Sequence, residues 1–200
     1  MVTVCSDGYS ELIAAAVGTA LPSVIAMLCG SAEVCITDHP ESPALSSGVA
    51  EANLQFGAKR AREYGLAPLS SVCTHEWGSL KNPVSQNNAG RYQRIIAADC
   101  LWMPSQHSRL ASSIAHFLSH DDPDACALVI AGFHTGRRIV ADFFTQFQDS
   151  ETSGDGKEVL RIAQISESDM QGTVRPWDET RKESKGEASK WCVVAVLVRR

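Results

Sequence analysis

Residues able to do chemistry recur at one kind of place in this chain, just past an apolar run. Gly18 follows LIAAAV, Asp38 follows EVCIT, Glu76 and Trp77 follow the run from Leu69 to His75, Asp99 follows YQRIIAA, and His134 follows ACALVIAGF. In an open α/β sheet, ligands lie outside the carboxyl ends of the strands, so residues just after the strands are the ones that meet them. An acid ending a second strand about twenty residues after a glycine turn is placed to hydrogen-bond the ribose hydroxyls of an adenosine cofactor. Asp38 fits that role relative to Gly18, and Trp77, in a polar loop, suits stacking on an adenine face. Each also has a plainer reading: an Asp shortly before Pro40 forms turns and caps helices, and a lone tryptophan packs.

Other chemistries fit these residues less well. Asp99 beside Cys100 suggests a nucleophile, but no histidine stands nearby in sequence to act as its base, so Cys100 reads as a buried thiol. GFHTG around His134 lacks the central serine of a GxSxG elbow, which leaves His134 as a residue of a strand-to-helix turn. The seven cysteines (Cys5, Cys29, Cys35, Cys73, Cys100, Cys126, Cys192) are odd in number, scattered and without a CxxC pair. That pattern predicts buried thiols in a reducing, cytoplasmic compartment. The histidines show no ligand spacing, so no metal site is expected.

Composition narrows the classes further. With 200 residues, 44% hydrophobic and 20% charged, the chain has the make-up of one globular domain with a sizeable core. A formal charge of -5, with no run of Lys or Arg, sets nucleic acid and anionic lipid aside. The stretch from Leu12 to Ala32 is uncharged and long enough to span a bilayer. Its flanks Asp7, Glu11 and Glu33 are acidic, however, no Lys or Arg precedes Lys59, and Gly18, Pro22 and Gly30 divide it into short pieces, so no membrane partner is expected.

Alternation of apolar runs with helical periodicity predicts the elements that must hold these residues. Strands are expected at Leu12 to Val17, Glu33 to Thr37, Leu69 to His75, Tyr92 to Ala98, Ala125 to Ala131, Val159 to Ile165 and Trp191 to Val198. Helices are expected at Leu21 to Cys29, Pro43 to Tyr64, Gln106 to Leu118 and Thr135 to Phe147. EWGSLKNPVSQNNAG reads as a loop, and Glu167 to Lys190 as a polar connection without a helix. The result is a single domain over residues 1–200: a doubly wound, mostly parallel seven-strand α/β sheet, with an antiparallel C-terminal hairpin at its edge.

The quoted segments also carry a resemblance. TALPSVIAMLCGSAEVCITDHPE, HEWG, YQRIIAADCLWMPSQHSRLASSIAHFL, ALVIAGFHTGR and WCVVAVLV resemble the fungal nicotinamide N-methyltransferase-like family, from about Gly18 onward. That family sits in the seven-strand methyltransferases, beside lysine and N-terminal protein methyltransferases acting on translation elongation factor 1A. The resemblance implies S-adenosyl-L-methionine as cofactor, with contacts at Val17, Gly18, Asp38, Trp77 and Ala98. It places Asp99 to Trp102 on the methyl-transfer side. The implied acceptor is a nicotinamide-like small molecule, or a protein lysine or N-terminal amine such as that of an elongation factor.

The first motif departs from the family pattern LELGAGTALPS. Here LIAAAVGTALPS puts Ala14 in place of the acid and Ala16 in place of the first glycine, and only Met1 to Glu11 precede the first strand. The altered motif predicts cofactor binding weaker by about tenfold to a thousandfold. It sets a second reading beside the enzyme, that of a truncated, catalytically impaired methyltransferase-like binding protein. A nicotinamide-dinucleotide oxidoreductase would suit the Asp38 spacing equally, but AADCLWMP and the closing hairpin speak against it.

Overall fold

The computed structural model describes residues 11–15, 20–147 and 160–200. Its elements run β1 (Glu11–Ala15), α1 (Leu21–Leu28), β2 (Glu33–Asp38), α2 (Pro43–Ser46), α3 (Val49–Glu63), β3 (Leu69–Thr74), α4 (Pro83–Asn87) and β4 (Arg94–Ala98). After a 3₁₀ turn at Pro104–Gln106 come α5 (His107–Phe117), β5 (Cys126–Gly132), α6 (Arg137–Thr145), β6 (Leu160–Asp169), β7 (Val174–Pro176), α7 (Lys185–Ala188) and β8 (Trp191–Arg199).

All the described strands join one mixed sheet of eight, in the order β3-β2-β1-β4-β5-β8-β6-β7. The strands from β3 to β5 are parallel, as short βα units require, whereas β8 runs antiparallel to both β5 and β6. Period-2 alternation sorts side chains onto opposite faces. Val34 and Ile36 of β2 join one apolar cluster with Met27 of α1 and Leu54 of α3, and Cys35 joins the other with Ile95, Leu110 and Phe143. Thus α1 and α3 cover one face, and α5 and α6 the other.

Several sequence expectations are corrected. The sheet has eight strands rather than seven, because Val174–Pro176 adds a short outer strand. The closing strands do form an antiparallel pair at the edge of the parallel strands, as expected, with β8 next to β5 and β6 beyond it. The long helix expected from Pro43 to Tyr64 is two helices, since Gly48 adopts a left-handed φ of 72° that no continuous helix allows. The expected loop after Trp77 contains α4, whose N-terminus Asn82 caps by accepting from the Ser85 amide at 2.9 Å. Likewise the polar connection before β8 holds α7, capped by Ser184. Along β5, Ala127, Val129 and Ala131 are buried while Leu128 and Ile130 on the other side are half-buried.

Candidate functional site

The chain leaves β1 toward β2 and β3 on one side and returns to β4 on the other, so the sheet's topological switch point lies beside β1. Crevices for ligands form outside the strand ends at such a point. Thr37 of β2 and Ala97 of β4 both lie level with Ala15 of β1, so Asp38 and Ala98 stand one residue further along, flanking the end of β1. At about 4.8 Å per strand, they are roughly 10 Å apart. Val17 and Gly18, the turn residues expected between them, lie outside the described residues.

Asp38 is half-buried, and both of its carboxylate oxygens are already engaged. One accepts the amide of His39 at 2.8 Å, and the other the hydroxyl of Ser42 at 2.7 Å, Ser42 being the N-cap of α2. Asp38 is therefore not itself a helix cap: Ser42 is, and Asp38 braces it. An ionised carboxylate offers about four acceptor positions. The Asp38 carbonyl accepts the His75 amide at 2.8 Å, tying the ends of β2 and β3 together.

Just beyond, Trp77 is half-buried and lines a small cavity with Thr37, His75, Ile95 and Ser113. His75 is buried and hydrogen-bonded at both ring nitrogens: Nε2 lies 2.9 Å from Ser113 Oγ, and Nδ1 lies 3.2 Å from Ser85 Oγ. Burial above all, and the neighbouring His116 in addition, push its pKa down to about 4, against a small opposing pull from Glu76. His75 therefore stays neutral at pH 7. Sequence reading passed over it, because its partners stand far along the chain on α5 and α4.

Asp99 follows β4 with φ 56°, a left-handed conformation that Asp tolerates better than most residues, and its amide donates to Ile130 O at 2.7 Å. This turn points the exposed carboxylate outward, with Oδ1 3.7 Å from His134 Nδ1 at the end of β5. Trp102 is also half-exposed. Cys100 is fully buried, and burial, followed by the fields of Asp99 and Asp38, raises its pKa. It is a structural thiol, as expected, whereas Cys29 is exposed.

Beyond His134 lies an ionic cluster that no sequence motif announces. Glu167 of β6 is fully buried, and its Oε1 accepts from Arg137 Nη1 at 2.6 Å while its Oε2 accepts from Arg137 Nη2 at 3.0 Å and Arg175 Nε at 2.8 Å. Glu183 bonds the same two guanidinium groups. Arg137 stacks over the Phe133 ring at 4.0 Å, and Arg175 over Trp191 at 3.8 Å. The cluster thereby pins β7 and the connection after it to the start of α6, next to the Asp99 and His134 side of the site.

No family model matches the chain. Among solved structures, it resembles a TehB-like SAM-dependent methyltransferase from Corynebacterium glutamicum, with a TM-score of 0.55 at 12% identity, covering 96% of this chain and 80% of that one. It also resembles a SAM-dependent methyltransferase from Methanosarcina mazei, with a TM-score of 0.56 at 10% identity, covering 96% and 92%. The fold is that of the S-adenosylmethionine-dependent methyltransferases. In sequence, the chain is 25% identical over 144 residues to the protein N-terminal and lysine N-methyltransferase EFM7 of Candida glabrata, covering 68% of this chain and 53% of that protein. The chain thus spans about half the length of the curated relatives it matches. Among the described residues, no helix is long and apolar enough to cross a membrane, and no group of three His, Cys, Asp or Glu side chains could share a metal ion.

Proposed function

We propose that this chain is an S-adenosylmethionine-dependent N-methyltransferase acting on a protein amine, either an N-terminus or a lysine. The observation that carries the reading is the pairing of Asp38 and Ala98 at strand ends flanking β1, at the switch point of a methyltransferase fold. The names of the relatives, protein N-terminal and lysine N-methyltransferases, support the acceptor class over a nicotinamide-like molecule. The described cysteines are free thiols, as a reducing cytoplasm leaves them.

The residues present suit the cofactor. Asp38 would hold ribose hydroxyls, Trp77 would flank the adenine, and Ala98 would line the approach, with Val17 and Gly18 as the cofactor-turn residues outside the described part of the chain. The chemistry the cofactor supplies when bound is an electrophilic methyl group on a sulfonium. The chain's own part is then to present a neutral nitrogen in line and to exclude water. A lysine, with an unperturbed pKa near 10.4, must first lose a proton. The exposed Asp99 carboxylate would orient the ammonium, and His134, 3.7 Å away, would stand ready to receive the proton. Trp102 would line the same approach.

Two measurements test the reading. The protein is expected to bind S-adenosylhomocysteine in calorimetry, and Asp38→Ala to weaken it by about a hundredfold, as loss of charge-assisted bonds to ribose implies. Unchanged affinity in that variant sinks the ribose assignment. Incubation with methyl-labelled S-adenosylmethionine and a cell extract is expected to label the protein fraction; label only in the small-molecule fraction would overturn the acceptor class. The altered residues Ala14 and Ala16 favour a second reading, an impaired methyltransferase-like binding protein. Cofactor affinity that appears only when Glu and Gly are restored at those positions would select it.

A further inference from the structure

The hydrogen bonds around His75 fix its proton. Ser85 has one hydroxyl hydrogen, and it goes to the carbonyl of Ser79 at 2.8 Å. Toward His75, Ser85 Oγ can therefore only accept, which requires the imidazole proton on Nδ1. The Nε2 atom is left as an acceptor and receives the hydroxyl of Ser113. Ser113 Oγ in turn accepts the amide of Gly78 at 2.9 Å. One directional chain results: Gly78 N–H to Ser113 O–H to His75 Nε2, and His75 Nδ1–H to Ser85 O–H to Ser79 C=O.

Every link of this chain bears on the loop that carries Trp77. His75 and Gly78 bracket Glu76 and Trp77, and both are bonded to one serine on α5. Gly78 has φ 79°, and a Cβ there would come within 3.0 Å of the Arg109 side chain, so the loop lies directly against α5. Glu76 pairs with that same Arg109 at 3.6 Å. The His75 ring packs edge-on to Phe117 at 4.9 Å. The other end of the clamp reaches Asp38, through the His75 amide.

We propose that His75, held neutral as its Nδ1–H tautomer between Ser113 and Ser85, is a positioning residue that fixes Trp77 and the Asp38 backbone as two walls of the adenosine pocket. This rests on the cofactor reading above. His75 touches no cofactor atom; it acts through Trp77. The geometry is pre-set before binding, so binding need not order the loop.

The test is a double-mutant cycle read by S-adenosylhomocysteine calorimetry on the full chain. Ser113→Ala is expected to weaken binding about tenfold in the wild-type background and less than twofold in a Trp77→Ala background, with Ser113→Thr restoring most of the loss. Equal weakening in both backgrounds, or none in either, would overturn the positioning role while leaving the cofactor reading intact. Absence of wild-type binding would overturn both. Should Ser113→Ala fail to fold, Ser85→Ala takes its place in the same cycle with the same expectation. Independently of any ligand, nitrogen-detected NMR of the wild type is expected to show the His75 proton on Nδ1 at pH 7. A proton on Nε2 would overturn the proposal.

Discussion

Glu167→Ala is expected to destabilise the protein by about 3 to 5 kcal/mol in chemical unfolding, the cost of removing one partner from a buried ion pair. The carboxylate takes both guanidinium groups, and the Asp178 amide also reaches Oε1 at 3.4 Å. Burial by itself would raise its pKa, but the hydrogen bonds and charges of Arg137 and Arg175 outweigh burial and hold it below the ordinary value. Without Glu167, Arg137 and Arg175 share Glu183 alone among the carboxylates of the cluster, and Arg137 remains buried. The Arg137 ring contacts with Phe133 and Trp177 would be strained by that imbalance. Glu167→Gln, which keeps the shape and one acceptor, should cost less. Tryptic cleavage after Arg181 and Lys182 should quicken in both variants, since the cluster is what pins that segment. A loss below about 1 kcal/mol for the alanine variant would mean that the cluster behaves as a solvated surface pair.

The second large effect is one of pH. Stability is expected to fall by up to about 3 kcal/mol as pH drops from 6.5 to 4, each pKa unit of difference being worth about 1.4 kcal/mol. His75 titrates at about 4 in the fold, against 6.5 as its ordinary value. Above pH 6.5 both folded and unfolded chains carry it neutral, and its contribution is complete. Between those values the unfolded chain takes up a proton that the fold refuses, so unfolding gains. Below 4 both are protonated and the loss is finished. Glu167 and Glu183, with pKa values below 4.5, lose their contribution only in more acid solution, and Cys73, pulled down to about 6 by its hydrogen bond with Cys35, acts at higher pH, so the slope from about pH 5.5 down to 4.5 belongs mainly to His75. His75→Phe should flatten unfolding free energy against pH in that interval. An unaltered slope in the variant would assign it elsewhere.

The sequence exposed the sheet and the strand-end residues because both follow from local rules. Runs such as ACALVIA and WCVVAVLV have no alternative to burial in a sheet, and Asp38 and Asp99 are adjacent to such runs. What could not be read were contacts between residues far apart in the chain. His75 shows no spacing to Ser113 that a motif could encode. Glu167 was hidden for a more particular reason. The β6 strand carries a bulge between Ile162 and Gln164, which shifts the alternation by one. Ile162 pairs with Leu197, and then Ile165 and Glu167 pair with Ala195 and Val193, all on the buried face. Counted without the bulge, Glu167 falls on the outer side, in keeping with its reading as the start of the polar connection rather than as part of the strand. Gly48 divided the expected long helix in the same local way, by a backbone angle that composition did not announce.

The position of β8 bears on how the chain reaches this state during synthesis. The strand that must separate β5 from β6 is made after both of them, with β7 and α7 intervening. β6 runs in the same direction as β5, so it can dock prematurely on the open edge of β5 and occupy the place of its later neighbour. Folding on the ribosome must therefore hold that edge vacant, or undo the early pairing, until residues 191–199 emerge.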